Sequence, residues 1–326
     1  MGSDYRLRIA MGALGLLAVA AACSGGSGSP GPTPTGTPRS PSLYVANYGG
    51  NSVTSYPLTA TGDAAPTRTL SGGAADIGSP IGLAFDATGN LAVSQSATNA
   101  IAVYAAPAGG NEAPLRTLSG ATTGLDQPSG IAFDASGNLA VANNANSSVT
   151  VYAAGASGNL APARTISGAV TTLHGPLGVA FDATGDLYVS NPSGNTILVF
   201  GPGATGNVAP IRTISGAATG LAGPYGIALD SSGNLYVANE SAGVTVYPPG
   251  TAGNTAPSRS IAGSSTGLST PTGVTVDPSG NLYVATNGNR SVAIFPPLAT
   301  GNVAPASTIA GASTGLANPL LLAVGR

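Results

Sequence analysis

The sequence predicts an all-β fold, a six-bladed β-propeller with four antiparallel strands in each blade. The first observation is a repeat, marked by aspartates at spacings of 48, 48, 48 and 47 residues: Asp86, Asp134, Asp182, Asp230 and Asp277. The second is that apolar residues fall in short runs separated by turn residues, which is typical of strands. The third is composition, because 49 Gly, 26 Pro and only 7% charged residues disfavour amphipathic helices. A fixed period of this length indicates a repeat architecture.

Each repeat contains four apolar runs in the same order. In the repeat that contains Asp182 they read GVAFD, LYVSN, TILVF and RTIS, and the turn ATGD separates the first two. Runs of about five residues bounded by turns match the usual length of strands. Each repeat therefore predicts one small four-stranded antiparallel sheet.

The two ends of the repeat region complete one another. Runs of the second type occur six times, beginning at Leu43, Leu91, Leu139, Leu187, Leu235 and Leu282. The final run, Leu320 to Val324, is of the first type. We therefore expect the C-terminal strand to join the N-terminal blade and close the ring, which removes an exposed sheet edge.

The repeated aspartates and arginines are interpreted as structural. Each aspartate precedes a glycine in a short turn, where its carboxylate can accept backbone N–H bonds and the glycine can adopt positive φ. A metal ring is the alternative, but these carboxylates lie on separate hairpins. The arginines begin the fourth strand, where charge protects an outer edge from aggregation: Arg68, Arg116, Arg164, Arg212 and Arg259.

The N-terminal region predicts export. Arg6 and Arg8 precede an apolar run that is too short to span a bilayer, so residues 1–22 are interpreted as a cleaved signal peptide. Ala20, Ala21, Ala22 and Cys23 resemble the lipobox of bacterial lipoproteins, in which the cysteine is lipidated; a plain signal peptidase site is the alternative. Residues 23–42 then form a flexible Gly/Ser/Pro linker, and residues 43–326 form the propeller. The predicted location is a bacterial membrane surface outside the cytoplasm.

The segment Pro224 to Asn239, PYGIALDSSGNLYVAN, resembles the NHL repeat, and the resemblance extends from Ser42 to the C-terminus. It implies a propeller whose ligands bind at one face, and some members of that family bind RNA. This chain lacks lysine entirely, and it has Asn143 and Ser148 where the family commonly has charged residues. Because nucleic-acid binding depends on neutralising phosphates, we expect no nucleic-acid partner.

One polar position recurs directly at the end of each second strand, and it is the candidate ligand-binding ring. Amides can both donate and accept hydrogen bonds, as a peptide or a sugar requires. The alternative is that these side chains cap strand ends and bond neighbouring loops. The ring consists of Asn47, Gln95, Asn143, Asn191, Asn239 and Thr286. Tyr48 and Tyr225 are expected to add aromatic surface beside it.

Groups that could perform catalysis are few on this face. His174, the only histidine, lies in a loop whose residues vary among the repeats, and Asp126, Glu240 and Arg290 belong to different blades. The sequence therefore assigns no catalytic residue, metal or cofactor. It predicts a monomeric, non-catalytic propeller that binds a protein or glycan in the cell envelope. The alternatives are a metal-dependent lactonase- or lyase-like enzyme using Asp126, Glu240 and His174, and a passive scaffold.

Overall fold

The computed structural model describes residues 40–325. The predicted signal peptide, Cys23 and most of the linker lie outside these residues. Within this range there are 24 strands, numbered β1 to β24 in chain order, and no helix is long and apolar enough to cross a membrane.

The strands form six four-stranded antiparallel sheets, which confirms the predicted fold class. Blade 1 contains β1 (Ser42–Asn47), β2 (Ser52–Pro57) and β3 (Arg68–Leu70) as its second, third and fourth strands. Blade 2 is β4 (Pro80–Phe85), β5 (Leu91–Gln95), β6 (Ala100–Tyr104) and β7 (Arg116–Ser119). Blade 3 is β8 (Pro128–Phe133), β9 (Leu139–Asn143), β10 (Ser148–Tyr152) and β11 (Arg164–Ile166).

Blade 4 is β12 (Val179–Phe181), β13 (Leu187–Asn191), β14 (Thr196–Phe200) and β15 (Arg212–Ile214). Blade 5 is β16 (Pro224–Leu229), β17 (Leu235–Asn239), β18 (Gly243–Tyr247) and β19 (Arg259–Ile261). Blade 6 is β20 (Pro271–Val276), β21 (Leu282–Thr286), β22 (Ser291–Phe295) and β23 (Ser307–Ile309). Single 3-10 turns occupy the loops at Tyr48–Gly50, Ala169–Thr171, Pro192–Gly194, Ala217–Thr219, Ser264–Thr266 and Ala312–Thr314.

The last strand, β24 (Pro319–Gly325), returns to blade 1 and pairs with β1 in the order β24-β1-β2-β3. Ser42 lies opposite Gly325, and Asn47 lies opposite Pro319. The ring is therefore closed as the sequence predicts, by hydrogen bonds between the two ends of the repeat region.

The hydrophobic core consists of six clusters, one between each pair of adjacent blades. One cluster, for example, joins Tyr44 and Val53 of blade 1 to Leu83 and Val93 of blade 2. Adjacent blades are also joined at their outer strands, where the N–H of Gly110 donates to the carbonyl of Thr69 at 2.8 Å. Equivalent glycine bridges occur at all six seams. Stability is thus distributed around the ring rather than held in one central core.

Adjacent blades pack closely around the axis because five of them have glycine two residues after the proline that precedes or begins the innermost strand. A Cβ atom at Gly178 would lie 2.6 Å from the carbonyl oxygen of Tyr225 on the next blade. Blade 1 is the exception, since Leu321 occupies this position. Its Cδ2 atom approaches Gly226, two blades away, so this side chain reaches toward the axis and narrows the channel.

The aspartate turns have the predicted structure. Asp182 Oδ1 accepts the backbone N–H groups of Thr184 and Asp186, each at 2.9 Å, and Gly185 has a φ of 86°. Burial by itself raises the pKa of Asp182, but the hydrogen bonds outweigh it and the pKa lies below its ordinary value. Arg212 forms an ion pair with Asp186 at 2.8 Å and lies over the ring of Tyr188. These charged groups therefore hold the blade together.

Candidate ligand-binding site at the channel mouth

The two faces of the ring differ in what they carry. We call the side with the loops that follow the second and fourth strands of each blade the mouth face. The opposite side, which carries the aspartate turns, is the hairpin face. The ring of amides and the two tyrosines belong to the mouth face, as expected.

The six side chains of the predicted ring are buried. Their relative exposures are 0 or 1% for all of them: Asn47, Gln95, Asn143, Asn191, Asn239 and Thr286. The reason is local, because each side chain ends its second strand while still paired with the third strand; Asn143, for example, lies opposite Ser148.

The buried amides bond to the protein itself. Asn143 Oδ1 accepts the N–H of Asp126 at 3.2 Å, and its Nδ2 donates to Thr150 Oγ1 at 3.0 Å. Asn239 likewise accepts the N–H of Ala222 at 3.1 Å and donates to Thr245 at 3.0 Å. In the structure these amides therefore bond to the protein and fix neighbouring loops, which is the alternative to ligand binding given above. Ligand binding through the same atoms stays an untested prediction, and it would require those bonds to break.

Thr286 departs from the other five ring residues. Its hydroxyl bonds with Asn289 Oδ1 and with the Ser291 hydroxyl at 2.7 Å. In the other five blades the ring residue accepts a backbone N–H from the preceding loop. Blade 6 lacks this bond among the described residues, so its loop is fixed differently.

A cavity of about 500 Å³ opens beside the buried ring, at the centre of the mouth face. Most of its wall comes from two positions of the repeat, the residue after the ring position, in four blades, and the residue after the proline that precedes or begins the innermost strand, in five blades. The first position supplies Tyr48, Ser96, Asn144 and Asn287, and the second supplies Ile81, Ser129, Leu177, Tyr225 and Leu320. Ala97, Gln127 and Asn318 complete the wall. The volume lies in the range of small-molecule sites.

The cavity wall is almost uncharged. Tyr48 and Tyr225 are its only titratable side chains, and Tyr48 is 43% exposed. Burial, followed by the neighbouring Glu240 and Tyr48, raises the pKa of Tyr225 to about 12. This hydroxyl is therefore protonated at neutral pH, so it can donate and accept hydrogen bonds but is a poor general base.

The residues considered for metal-dependent chemistry do not form a ligand set. His174 is exposed and its Nδ1 lies 3.0 Å from the carbonyl oxygen of Thr172. Glu240 is exposed beside Gly223. Between residues 40 and 325, no three His, Cys, Asp or Glu side chains lie close enough together to hold a metal. Asp126, Glu240 and His174 therefore do not fit a shared metal.

A second cavity, of about 550 Å³, lies on the hairpin face between blades 5 and 6. It is lined by turn residues, among them Asp230 and Asp277. Asp277 Oδ1 accepts the backbone N–H groups of Ser279 and Asn281 at 2.8 and 2.9 Å. Because these carboxylates already serve their own turns, the mouth cavity is the better candidate site.

These features define a class, the six-bladed propeller with an uncharged, tyrosine-containing cavity at its mouth. A family model described as "Lactonase, 7-bladed beta-propeller" matches residues 24–249, more than half of the chain. The chain belongs to this lactonase propeller family. Its described residues nevertheless form six blades, whereas the family description specifies seven. No curated protein matches the chain.

Solved structures share the fold at low sequence identity. A protein of unknown function from Bacteroides caccae is 9% identical with a TM-score of 0.64, covering 88% of this chain and 100% of its own. A chain of a nidogen/laminin complex is 16% identical with a TM-score of 0.62, covering 88% and 98%. A functionally unknown protein from Desulfotomaculum acetoxidans is 12% identical with a TM-score of 0.58, covering 87% and 98%. These similarities support the propeller fold alone.

Proposed function

We propose that this chain is a non-catalytic binding propeller of the NHL-repeat type that holds a glycan at its channel mouth. The observation that carries the proposal is the uncharged cavity, in which two tyrosines combine with amide and hydroxyl side chains. Aromatic rings stack on the apolar faces of sugars, and amides and hydroxyls match sugar hydroxyl groups.

The cavity wall has the composition that such a ligand requires. Asn144, Asn287 and Gln127 supply amides, and Ser96 supplies a hydroxyl, whereas the buried Ser129 hydroxyl bonds to backbone carbonyls such as that of Leu177. Their different positions around the ring offer donors and acceptors from several directions. Leu177, Ile81 and Leu320 provide apolar surface deeper in the wall, where a sugar ring would lose contact with water.

We further propose that the propeller is held at a bacterial membrane by lipidated Cys23. This is supported by the lipobox-like sequence and by the position of β1, which begins at Ser42 on the hairpin face. Ser42 thus begins its strand on the side opposite the mouth. Cys23→Ser is expected to release the protein from membranes, and its retention would contradict the anchor.

A screen of immobilised glycans with the purified protein tests the binding function. We expect binding to at least one neutral or acidic oligosaccharide, and loss of that binding in the Tyr48→Ala/Tyr225→Ala double variant. A protein partner in the envelope is the alternative outcome. It would be indicated by a screen without glycan binding together with a co-purified envelope protein that the same double variant loses.

Lactone hydrolysis is the second candidate function, and family membership is the observation that favours it. The expected result for purified protein is no acceleration of the hydrolysis of a sugar δ-lactone over the uncatalysed rate. Turnover that is lost in the double tyrosine variant would replace the binding proposal with an enzymatic one. Turnover that survives in this variant would place an active site elsewhere.

A further inference from the structure

Neighbouring blades are joined on the mouth face by a side-chain bond that the sequence did not reveal. In four blades, a residue in the loop after the second strand accepts a backbone N–H from the next blade. Asn99 Oδ1 accepts the N–H of Gln127 at 2.7 Å, and Asn195 Oδ1 accepts that of Gly223 at 3.0 Å. The other two acceptors are Asn51 Oδ1, for the N–H of Ser79 at 2.8 Å, and Ser147 Oγ, for that of Gly175 at 3.1 Å.

Two seams lack this acceptor among the described residues, the one between blades 5 and 6, where the loop after Asn239 is one residue shorter, and the one between blades 6 and 1, where a charged donor takes its place. By its place in the repeat, Arg290 stands where four other blades have Asn or Ser, and it retains the left-handed backbone with a φ of 51°. The partner position is Asn318, also with a φ of 51°. A guanidinium group only donates hydrogen bonds, so it cannot accept the N–H of Asn318. No hydrogen bond from that N–H occurs within the described part of the chain.

Arg290 and Asn318 thus occupy the two positions that are bonded to one another in four other blades, and both residues are exposed. Arg290 forms no ion pair among the described residues, in which the pairs are Arg116 with Asp86 and Arg212 with Asp186. It is also the one described arginine outside the fourth strands, and the sequence has no lysine. Local positive charge on the mouth face is thus concentrated at this seam. Of the acids in the mouth-face loops, Asp76 and Asp126 precede the first strands of blades 2 and 3, and Glu240 follows the second strand of blade 5.

This pair of donors adjoins the cavity. Asn318 lines the cavity wall, and its carbonyl oxygen accepts the backbone N–H of Tyr48 at 3.2 Å. Tyr48 therefore lies directly beside the donors and offers an exposed ring. Asn287, in the same loop as Arg290, also lines the cavity.

We infer that the seam of Arg290 and Asn318 is a carboxylate subsite of the glycan site, so that the glycan contains uronic acid residues. One carboxylate oxygen accepts the N–H of Asn318 and the other meets the guanidinium of Arg290. The pyranose ring then lies against Tyr48. The subsite follows from the unmatched donors alone, whereas its assignment to a uronic acid rests on the proposed glycan function.

Titration of the full-length protein with acetate, followed by the backbone amide resonance of Asn318, tests the subsite without a glycan. We expect a saturable shift that disappears in Arg290→Asn, which restores the acceptor used by other blades. The matched control, Arg164→Asn, removes an arginine from the fourth strand and is expected to retain the shift. A linear response, or an equal saturable shift in Arg290→Asn, would overturn the subsite.

The ligand class is tested with trimers of galacturonic acid and of galactose. The wild type is expected to bind the acidic trimer about tenfold more tightly at low salt, because a charge-assisted hydrogen bond is stronger than a neutral one. Arg290→Asn should remove this preference and leave binding of the neutral trimer unchanged. Equal affinities of the wild type for the two trimers would refute the assignment of a uronic acid to the subsite. Binding of neither trimer would count against the glycan function and would leave the acetate result unaffected.

Discussion

Replacing Asn143 with alanine separates a structural role of the amide ring from a ligand-binding role. The side chain is fully buried, accepts the N–H of Asp126, and donates to Thr150 and to Ser148 at 3.0 and 3.3 Å. A hydrogen bond of this kind contributes about 0.5–1.5 kcal/mol net, and a buried partner left without one costs about 1–3 kcal/mol. Losing the acceptor and the strongest donor bond together should lower the free energy of unfolding by about 2–4 kcal/mol.

The assay is urea denaturation followed by circular dichroism, with Asn144→Ala as the matched control. Asn144 is the next residue, lines the cavity, and makes one hydrogen bond to the carbonyl of Gly175 at 3.0 Å. Its replacement should cost no more than about 1 kcal/mol, because a half-buried group regains water. The reasoning fails if the two variants are equally stable and Asn143→Ala instead weakens ligand binding.

Two further predictions concern packing and pH. Gly178→Ala should destabilise the protein by at least about 1–3 kcal/mol, because the new Cβ would meet the backbone of Tyr225. The control is Gly73→Ala, whose new Cβ would meet nothing within 4 Å. Equal denaturation midpoints for the two variants would contradict the packing argument. Burial raises the pKa of Tyr56 and Tyr152 to about 12, so the folded state holds these protons more tightly than the unfolded state. The contribution of these two tyrosines to stability should therefore be constant below about pH 10 and fall between pH 10 and 12, and a Tyr56→Phe/Tyr152→Phe variant with an unchanged slope in that range would refute this account.

The sequence predicts the architecture well because the repeated residues form the same local turns and strands in every blade. The spacing of Asp182 and its counterparts identifies the hairpins, since an Asp and a Gly at these places form the same turn in any blade. Ring closure follows from counting runs, because a strand without a partner is costly. The pairing of β24 with β1 was therefore predicted from the sequence, whereas the register that places Leu322 opposite Val45 comes from the structure.

The residues of the cavity wall were predicted less well than the fold, since several of them follow the predicted ring by one position. The sequence identifies the polar residue at the end of each second strand, such as Asn143, but pairing with the third strand buries that side chain. The next residue, Asn144, faces the cavity. A usable signal was present in the repeat itself: the buried position is an amide in five of six blades, as a structural position should be. The cavity position varies, with Tyr48, Ser96 and Asn287 among its members.

The seam at Arg290 was not recognised because its meaning depends on contacts between blades. The sequence shows an arginine in a variable loop, which alone suggests a solvated charge. Only the bonds made by Asn99 and Asn195 in the same place show that an acceptor is missing there. A sequence pattern within one repeat does not predict hydrogen bonds between side chains and backbone groups of neighbouring blades.

Blocking each face in turn distinguishes the mouth cavity from the hairpin face as the ligand site. The measurement is calorimetric titration of a glycan identified by the screen into two variants. Ser96→Trp fills the mouth cavity, and Ser231→Trp fills the cavity on the hairpin face. We predict that Ser96→Trp abolishes binding while Ser231→Trp binds like the wild type, and the opposite pattern would contradict the account.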